Sequence, residues 1–199
     1  TNAAMANVHF RRALCMSEDR ISINAQKVGD ELAPLSVRNT YVPGNFVVLA
    51  EDTTVDINGT STTFKAGTNF GEIVQAQLNA DGVKITAWNP EADDGVGSSD
   101  GYDGWYNPEN AKAEFDIALK ELAEAGVEVT ADNPIVINIT YPANRDAYVN
   151  SEQAAKKSIE AVFGGLVRVD LVECADAYVW QDAGYTTDYG FQANYTTYD

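Results

Sequence analysis

Between residues 107 and 170 the chain spells out a helix, an extended segment, a second helix and another extended segment without interruption, and that order leaves few folds open. Two strands joined through a helix are expected to pair in parallel with a right-handed crossover, because a tight hairpin turn cannot connect parallel strands. The leading helix is specified at both ends. Asn107 stands at the N-cap position, Pro108 at the first helical residue, and Gly126 where a left-handed residue stops the helix. Ala111, Phe115, Ala118, Leu122 and Ala125 recur at helical spacing and form one apolar stripe, with Lys112, Glu114, Lys120, Glu121 and Glu124 mostly off it.

Pro134 opens the first extended segment, where Ile135, Ile137, Ile139 and Tyr141 alternate with Val136, Asn138 and Thr140. β-branched residues on both faces predict a strand covered on at least one side. A turn at Pro142-Ala143-Asn144 leads to a helix through Ala155, Ile159 and Val162. It stops at Gly164-Gly165, and Val167, Val169 and Leu171 then alternate with Arg168 and Asp170. The sequon-like triplet at Asn138 falls inside a predicted strand and carries no weight, and those at Asn58 and Asn194 add little.

Ahead of this unit, Phe10, Leu14, Ser17, Ile21, Ala25 and Val28 share one face of a helix over residues 8–28, with Ser17 as its point of possible breakage and Gly29 as its stop. Residues 1–7 read as a linker or a cloning remnant. After a loop through Pro34 and residues 41–44 the sequence turns polar and β-favouring. Asn58-Gly59, between residues 54–57 and 62–64, is a strong two-residue hairpin signal. A short helix over residues 70–79 and an extended segment over 83–88 follow, then an acidic, glycine-rich loop at 90–106.

Net charge is −17, from 30 acidic and 13 basic residues, which opposes binding to a nucleic-acid backbone or an anionic membrane. No apolar run approaches the roughly 20 residues that span a bilayer, and residues 1–7 lack the pattern of a signal peptide. Cys15 and Cys174 are compatible with a disulfide or with two buried thiols.

Catalytic constellations are scarce. The single histidine, His9, reads as a surface or capping residue, and no nucleophile elbow, phosphate loop or dinucleotide fingerprint is present. Paired carboxylates for glycoside chemistry have almost no specificity among 30 acidic residues. Asp93, Asp94, Asp100 and Asp103 offer oxygen ligands to calcium, but their spacing departs from the twelve-residue loop and a closing glutamate is missing, so a solvated acidic loop is expected and no metal site. Tyr185, Tyr189, Phe191, Tyr195 and Tyr198 suit a half-buried strand pair, and also a surface for sugar rings or the lining of a peptide groove.

The run Val8-His9-Phe10-Arg11-Arg12-Ala13-Leu14, closing in Asp19-Arg20, is similar to a helix of the extracellular solute-binding proteins of family five, the oligopeptide and dipeptide receptors of bacterial ABC importers. Asn107-Pro108-Glu109-Asn110-Ala111-Lys112, ending in Glu124-Ala125-Gly126, resembles that family's "D-P-E-K-A-K … L-x-E-A-G" helix, and Tyr141-Pro142 follows in the expected order. The resemblance implies an α/β, periplasmic-binding-protein-like lobe of type II: most of the C-terminal lobe, over residues 8–199, with a β-rich insertion at about 45–106. It implies a non-enzymatic importer component without cofactor, capturing oligopeptides, dipeptides or another small solute together with its N-terminal lobe and a membrane permease, at the cell surface or in the periplasm.

Glu18 replaces an aliphatic residue of the family pattern, His9 replaces a basic or polar one, and the chain ends at Asp199, apparently upstream of the segment with the peptide-anchoring aspartate. In open α/β sheets ligands sit beyond the carboxyl ends of the strands, which makes Tyr141, Asn144, Tyr178 and Trp180 the candidate cleft residues. The alternative is a secreted glycan-binding or adhesion module, drawn from the tyrosine-rich tail and the acidity.

Overall fold

A computed structural model describes residues 2–90, 102–175 and Trp180. The chain divides into two compact units, one formed by residues 1–19 and 108–199, the other by residues 20–107.

The first unit holds the βαβ motif. Helix α5 (Pro108–Glu124) leads into strand β3 (Ile135–Pro142), helix α6 (Asp146–Phe163) and strand β4 (Val167–Cys174). β3 and β4 pair in parallel, with Ile135 opposite Val167 and Pro142 opposite Cys174. Of the predicted stripe on α5, Ala111, Phe115, Ala118 and Leu122 are buried, while Ala125 lies past the helix end and is exposed. Gly126 takes φ +80, its N–H donates to Ala123 C=O at 3.0 Å, and Val127 N–H donates to Leu122 C=O at 2.8 Å. That is a Schellman termination, which only a residue at ease in the left-handed region closes cheaply.

Helices α1 (Asn2–Ala6) and α2 (Val8–Ser17) complete this unit. Where a linker was expected, residues 2–6 are helical and Ala4 is buried. Asn7 explains the restart, because its side chain accepts from Phe10 N–H at 2.9 Å, and Arg11 donates to the Met5 and Ala6 carbonyls that end α1. Phe10 of α2, Phe115 of α5 and Phe163 of α6 form one aromatic run, with centroids 6.0 and 4.7 Å apart. Ile137, Ile139, Ile159 and Val169 are fully buried in the same unit.

The helix expected over residues 8–28 is broken after Ser17, the point of breakage that the sequence offered, and is two. Glu18 is extended, and α3 (Arg20–Val28) belongs to the second unit. The backbone N–H groups after the break have left helical bonding: Asp19 donates to Ser158 Oγ at 2.8 Å, and Arg20 to Asp103 Oδ2 at 3.0 Å. The predicted stripe is core only through Ser17. Ile21 and Ala25 are half-buried and Val28 is exposed, so the apolar period carries past the break while the packing does not.

In the second unit, β1 (Thr53–Ile57) and β2 (Thr60–Phe64) form the predicted hairpin, with Asn58 and Gly59 at φ +51 and +83. Helix α4 (Phe70–Ala80) follows. Val83, Ile85 and Ala87 are buried in alternation with exposed Lys84 and Thr86, as an extended segment predicts, yet residues 83–88 join no ladder among the described residues. The Gln75 side chain takes the place of a partner strand, donating to Ile85 C=O at 3.0 Å and accepting from the N–H groups of Ala87 and Trp88 at 2.8 and 3.3 Å.

Trp88 lies against Gly44 and Gly71, which are joined by a 2.8 Å bond from Gly71 N–H to Gly44 C=O, and a Cβ on either glycine would fall inside the indole's contact distance. The whole stretch expected to be an insertion, residues 45–106, lies within this unit.

Two stability outcomes follow from this packing. Phe115→Ala removes the central ring of the aromatic run and is expected to cost about 3–5 kcal/mol. Gly71→Ala is expected to cost about 1–3 kcal/mol through overpacking against Trp88, while Gly29→Ala, with open space at its Cβ, probes the strain of positive φ alone. Urea unfolding followed by circular dichroism reads all three. An unchanged midpoint for Phe115→Ala would show that the aromatic run is not a core element.

Candidate site at the carboxyl ends of the parallel strands

The two strands deliver their last residues to one place because they start in register and have equal length. Ala143 N–H donates to Cys174 C=O at 2.8 Å, adding one rung beyond the ladder. Asn144 then takes φ +61, a conformation asparagine tolerates better than most residues, and the chain turns into α6.

Tyr141 is half-buried and stands opposite Glu173, with its hydroxyl 3.5 Å from Glu173 Oε2. The phenol is held above the usual tyrosine range, first by partial burial, then by the Glu173 charge and the contact with its carboxylate. Trp180 donates its indole N–H to Thr140 C=O at 2.9 Å and meets Tyr148 edge-on, with centroids 5.5 Å apart at 70°. This ring order is the favourable one for aromatic quadrupoles.

Of the four expected cleft residues, Tyr141 and Trp180 are thus placed at the carboxyl end of β3, Asn144 is exposed in the turn that follows, and Tyr178 lies outside the described residues. Tyr148 and Glu173 were not singled out from the sequence. Tyr148 falls in the first turn of α6, where one more aromatic in a tyrosine-rich chain gives no signal. Glu173 becomes Tyr141's neighbour only through a register set across α6. The arrangement offers aromatic faces, a turn amide and strand-end polar groups. It suits holding a ligand by stacking and hydrogen bonding.

Other candidates have structural partners. His9 Nδ1 lies 2.6 Å from Glu114 Oε2 and its Nε2 3.8 Å from Glu121 Oε1, so the single histidine bridges α2 to α5. Asp103, expected in the solvated acidic loop, is nearly enclosed and receives Arg20 through the backbone N–H, Nε at 2.9 Å and the terminal guanidinium nitrogen, as well as the N–H groups of Trp105 and Tyr106 at 3.1 Å. Asp93, Asp94 and Asp100 lie outside the described residues.

Cys15 is exposed on α2 and Cys174 is buried at the end of β4; both are thiols, so burial holds for one of the two. Among the described residues no group of three or more His, Cys, Asp or Glu is placed to hold a metal, and no helix is long and apolar enough to cross a membrane. The second unit has a concavity of about 530 Å³ beside Asn79, Lys84, Thr86, Tyr102 and Asn107, with no convergent set of charged groups.

No family model matches the chain. It is 31% identical over 198 residues to the oligopeptide-binding protein AliB of Streptococcus pneumoniae, a match that takes in 100% of this chain and 26% of the relative. It is 35% identical over 164 residues to the oligopeptide-binding protein AmiA of the same species, covering 82% of this chain and 21% of AmiA. To the oligopeptide-binding protein SarA of Streptococcus gordonii it is 34% identical over 164 residues, covering 82% of this chain and 20% of SarA.

The chain therefore spans about a quarter of the length of the curated relatives it matches. Among solved structures it is similar to Haemophilus influenzae OppA in complex with the peptide RPPGFSPFR, with 18% identity, a TM-score of 0.39, and coverage of 89% of this chain and 24% of that one. The sequence relatives bear out the resemblance carried by the Val8 and Asn107 helices.

The Tyr141 phenol gives this site a direct readout. Its pKa is raised, so any stability it contributes is fully present below the ordinary tyrosine value and is lost as pH rises through the shifted one. Alkaline absorbance titration is expected to show a late-ionising phenol that disappears in Tyr141→Phe and moves back toward the ordinary range in Glu173→Gln. A titration unchanged by Glu173→Gln would remove Glu173 as a cause.

Proposed function

We propose that this chain, a segment of an extracellular solute-binding protein of family five, forms most of one lobe, the C-terminal one, of a two-lobed receptor that captures oligopeptides for an ABC importer. The observation that carries the reading is the similarity along the whole chain to AliB, accompanied by shorter matches to AmiA and SarA, each an oligopeptide-binding protein. The placement of Tyr141 and Trp180 at the carboxyl end of a parallel strand supports it, because ligands of open α/β sheets gather there.

Tyr141, Asn144, Tyr178 and Trp180 are assigned to the cleft. An extended peptide is held there mainly through main-chain hydrogen bonds, with its side chains against aromatic faces and ordered water. The other lobe closes over it on a hinge, and the membrane permease receives it. The receptor acts outside the cytoplasmic membrane, at the cell surface or in the periplasm, and performs no chemistry on its ligand. Residues 45–106 are proposed to be a lineage insertion into the lobe. The glycan-binding alternative gains no support from the relatives, and the tyrosine-rich tail that motivated it lies outside the described residues.

Calorimetry on the full-length receptor with a mixture of short peptides tests the assignment. Binding is expected, and Trp180→Ala or Tyr141→Ala is expected to weaken it by about tenfold or more, equivalent to about 1.4 kcal/mol. Binding of a sugar or a metal chelate with no response to peptides would overturn the peptide reading. Unchanged peptide affinity in both variants would move the cleft away from the β3 end.

A further inference from the structure

The carboxylates of β4 and of the helix before it differ in their partners. Asp170 takes the Arg168 guanidinium through two bonds of 3.0 Å, and Glu160 takes the Lys156 ammonium at 2.6 Å. Glu173, at the carboxyl end of β4, has no Lys, Arg or His within salt-bridge distance among the described residues. It is exposed, and its side chain meets only the Tyr141 hydroxyl among the described residues, 3.5 Å from Oε2 and at the outer limit of a hydrogen bond. An ionised carboxylate has room for about four donors, so most of its capacity is open. That open charge stands at the end of the ladder where ligands of open α/β sheets gather.

Tyr141 and Glu173 share one face of the sheet because they stand opposite each other in the register. The phenol oxygen and the carboxylate, 3.5 Å apart, form a pair of acceptors that a single group with several N–H donors can span. An ammonium has three such donors and a guanidinium five. The surroundings are apolar and aromatic. The Tyr141 ring is half-buried, Pro142 beside it is buried, and Trp180, bonded to the Thr140 carbonyl, brings a further ring to the same strand end. An apolar flank with one negative charge at its tip matches the side chain of lysine or arginine, which lays a hydrocarbon stem along apolar surface and ends in a cation. A peptide α-amino group has no such stem. The phenol already responds to this field, being held above the usual tyrosine range by partial burial first and then by the Glu173 charge.

We propose that Glu173, with the Tyr141 hydroxyl oxygen as a second acceptor, is a specificity-determining residue of the cleft and binds the cationic tip of a lysine or arginine side chain of the captured peptide. The proposal rests on the reading of this chain as part of a peptide receptor and deepens it, since the ligand class becomes peptides with a basic residue at one defined position. A net charge of −17 favours any cationic ligand through its long-range field. That general preference has no positional requirement and is screened by salt. A contact with Glu173 is positional and depends on one carboxylate out of 30 acidic residues.

Calorimetry on the full-length receptor at physiological ionic strength tests this. Penta-alanine carrying lysine at each position in turn is compared with penta-alanine carrying norleucine there, which has the same stem and no charge. At one position lysine is expected to bind about tenfold or more tightly than norleucine. In Glu173→Gln that advantage is expected to vanish while norleucine affinity stays unchanged; Glu173 is exposed, so the substitution leaves the core untouched. Equal affinities at every position, or a lysine advantage that survives Glu173→Gln, would overturn the proposal and leave the peptide receptor reading in place. So would an equal loss for lysine and norleucine peptides that Nα-acetylation abolishes, since Glu173 would then hold the α-amino group. A receptor that binds none of these peptides would overturn the peptide reading and this proposal together.

Discussion

The ring of Phe115 is the contact on which the first unit depends. It stands between Phe10 and Phe163 and so joins three helices drawn from the start, the middle and the later part of the chain. A two-stranded parallel ladder has little cohesion of its own. It is stable here because α6 covers the isoleucines of β3 and is itself held against α5 and α2 through this aromatic run. The polar periphery follows the same docking. His9 meets Glu114 and Glu121, and Asn7 reaches Glu121 at 2.7 Å, only because the Phe10 face of α2 is seated on α5.

A second theme is the use of side chains where a strand would otherwise be. Gln75 supplies the donor and acceptors for residues 85–88, and Lys156 with Glu160 does the same for Val169. Each satisfies main-chain groups that burial would leave costly. Lys156 and Glu160 also occupy the position beside Val169 that a further strand would need. Along 85–88 the Gln75 side chain makes the main-chain bonds in a segment that has the strand period and forms no ladder among the described residues.

The Asp19-Arg20 pair shows how a sequence motif can be structural. Asp19 is bonded through its N–H to Ser158 in the first unit, and Arg20 through its guanidinium to Asp103 in the second, at the point where the chain passes from one to the other. Asp103 is thereby removed from the acidic loop as a free ligand. The same holds for His9, whose helix-bridging role uses both ring nitrogens. Residues that looked chemically suggestive in isolation are taken up by packing, whereas the candidate cleft is made of residues whose only distinction is where β3 and β4 end.

The sequence by itself determined the elements. Pro108 and Gly126 bounded α5, the alternation of Ile135, Ile137 and Ile139 identified a covered strand, Asn58-Gly59 closed the hairpin, and the helix between two strands required parallel pairing. All of these follow from backbone preferences and periodicity within a few residues, which a linear sequence displays directly. The tertiary structure decided what these elements meet: that the apolar stripe leaves the core after Ser17, that Glu173 faces Tyr141, that Tyr148 meets Trp180, and that α6 covers the outward groups of Val169 on β4. Those contacts join residues far apart in the chain, and their geometry depends on how helices seat on a common core. No local pattern encodes it.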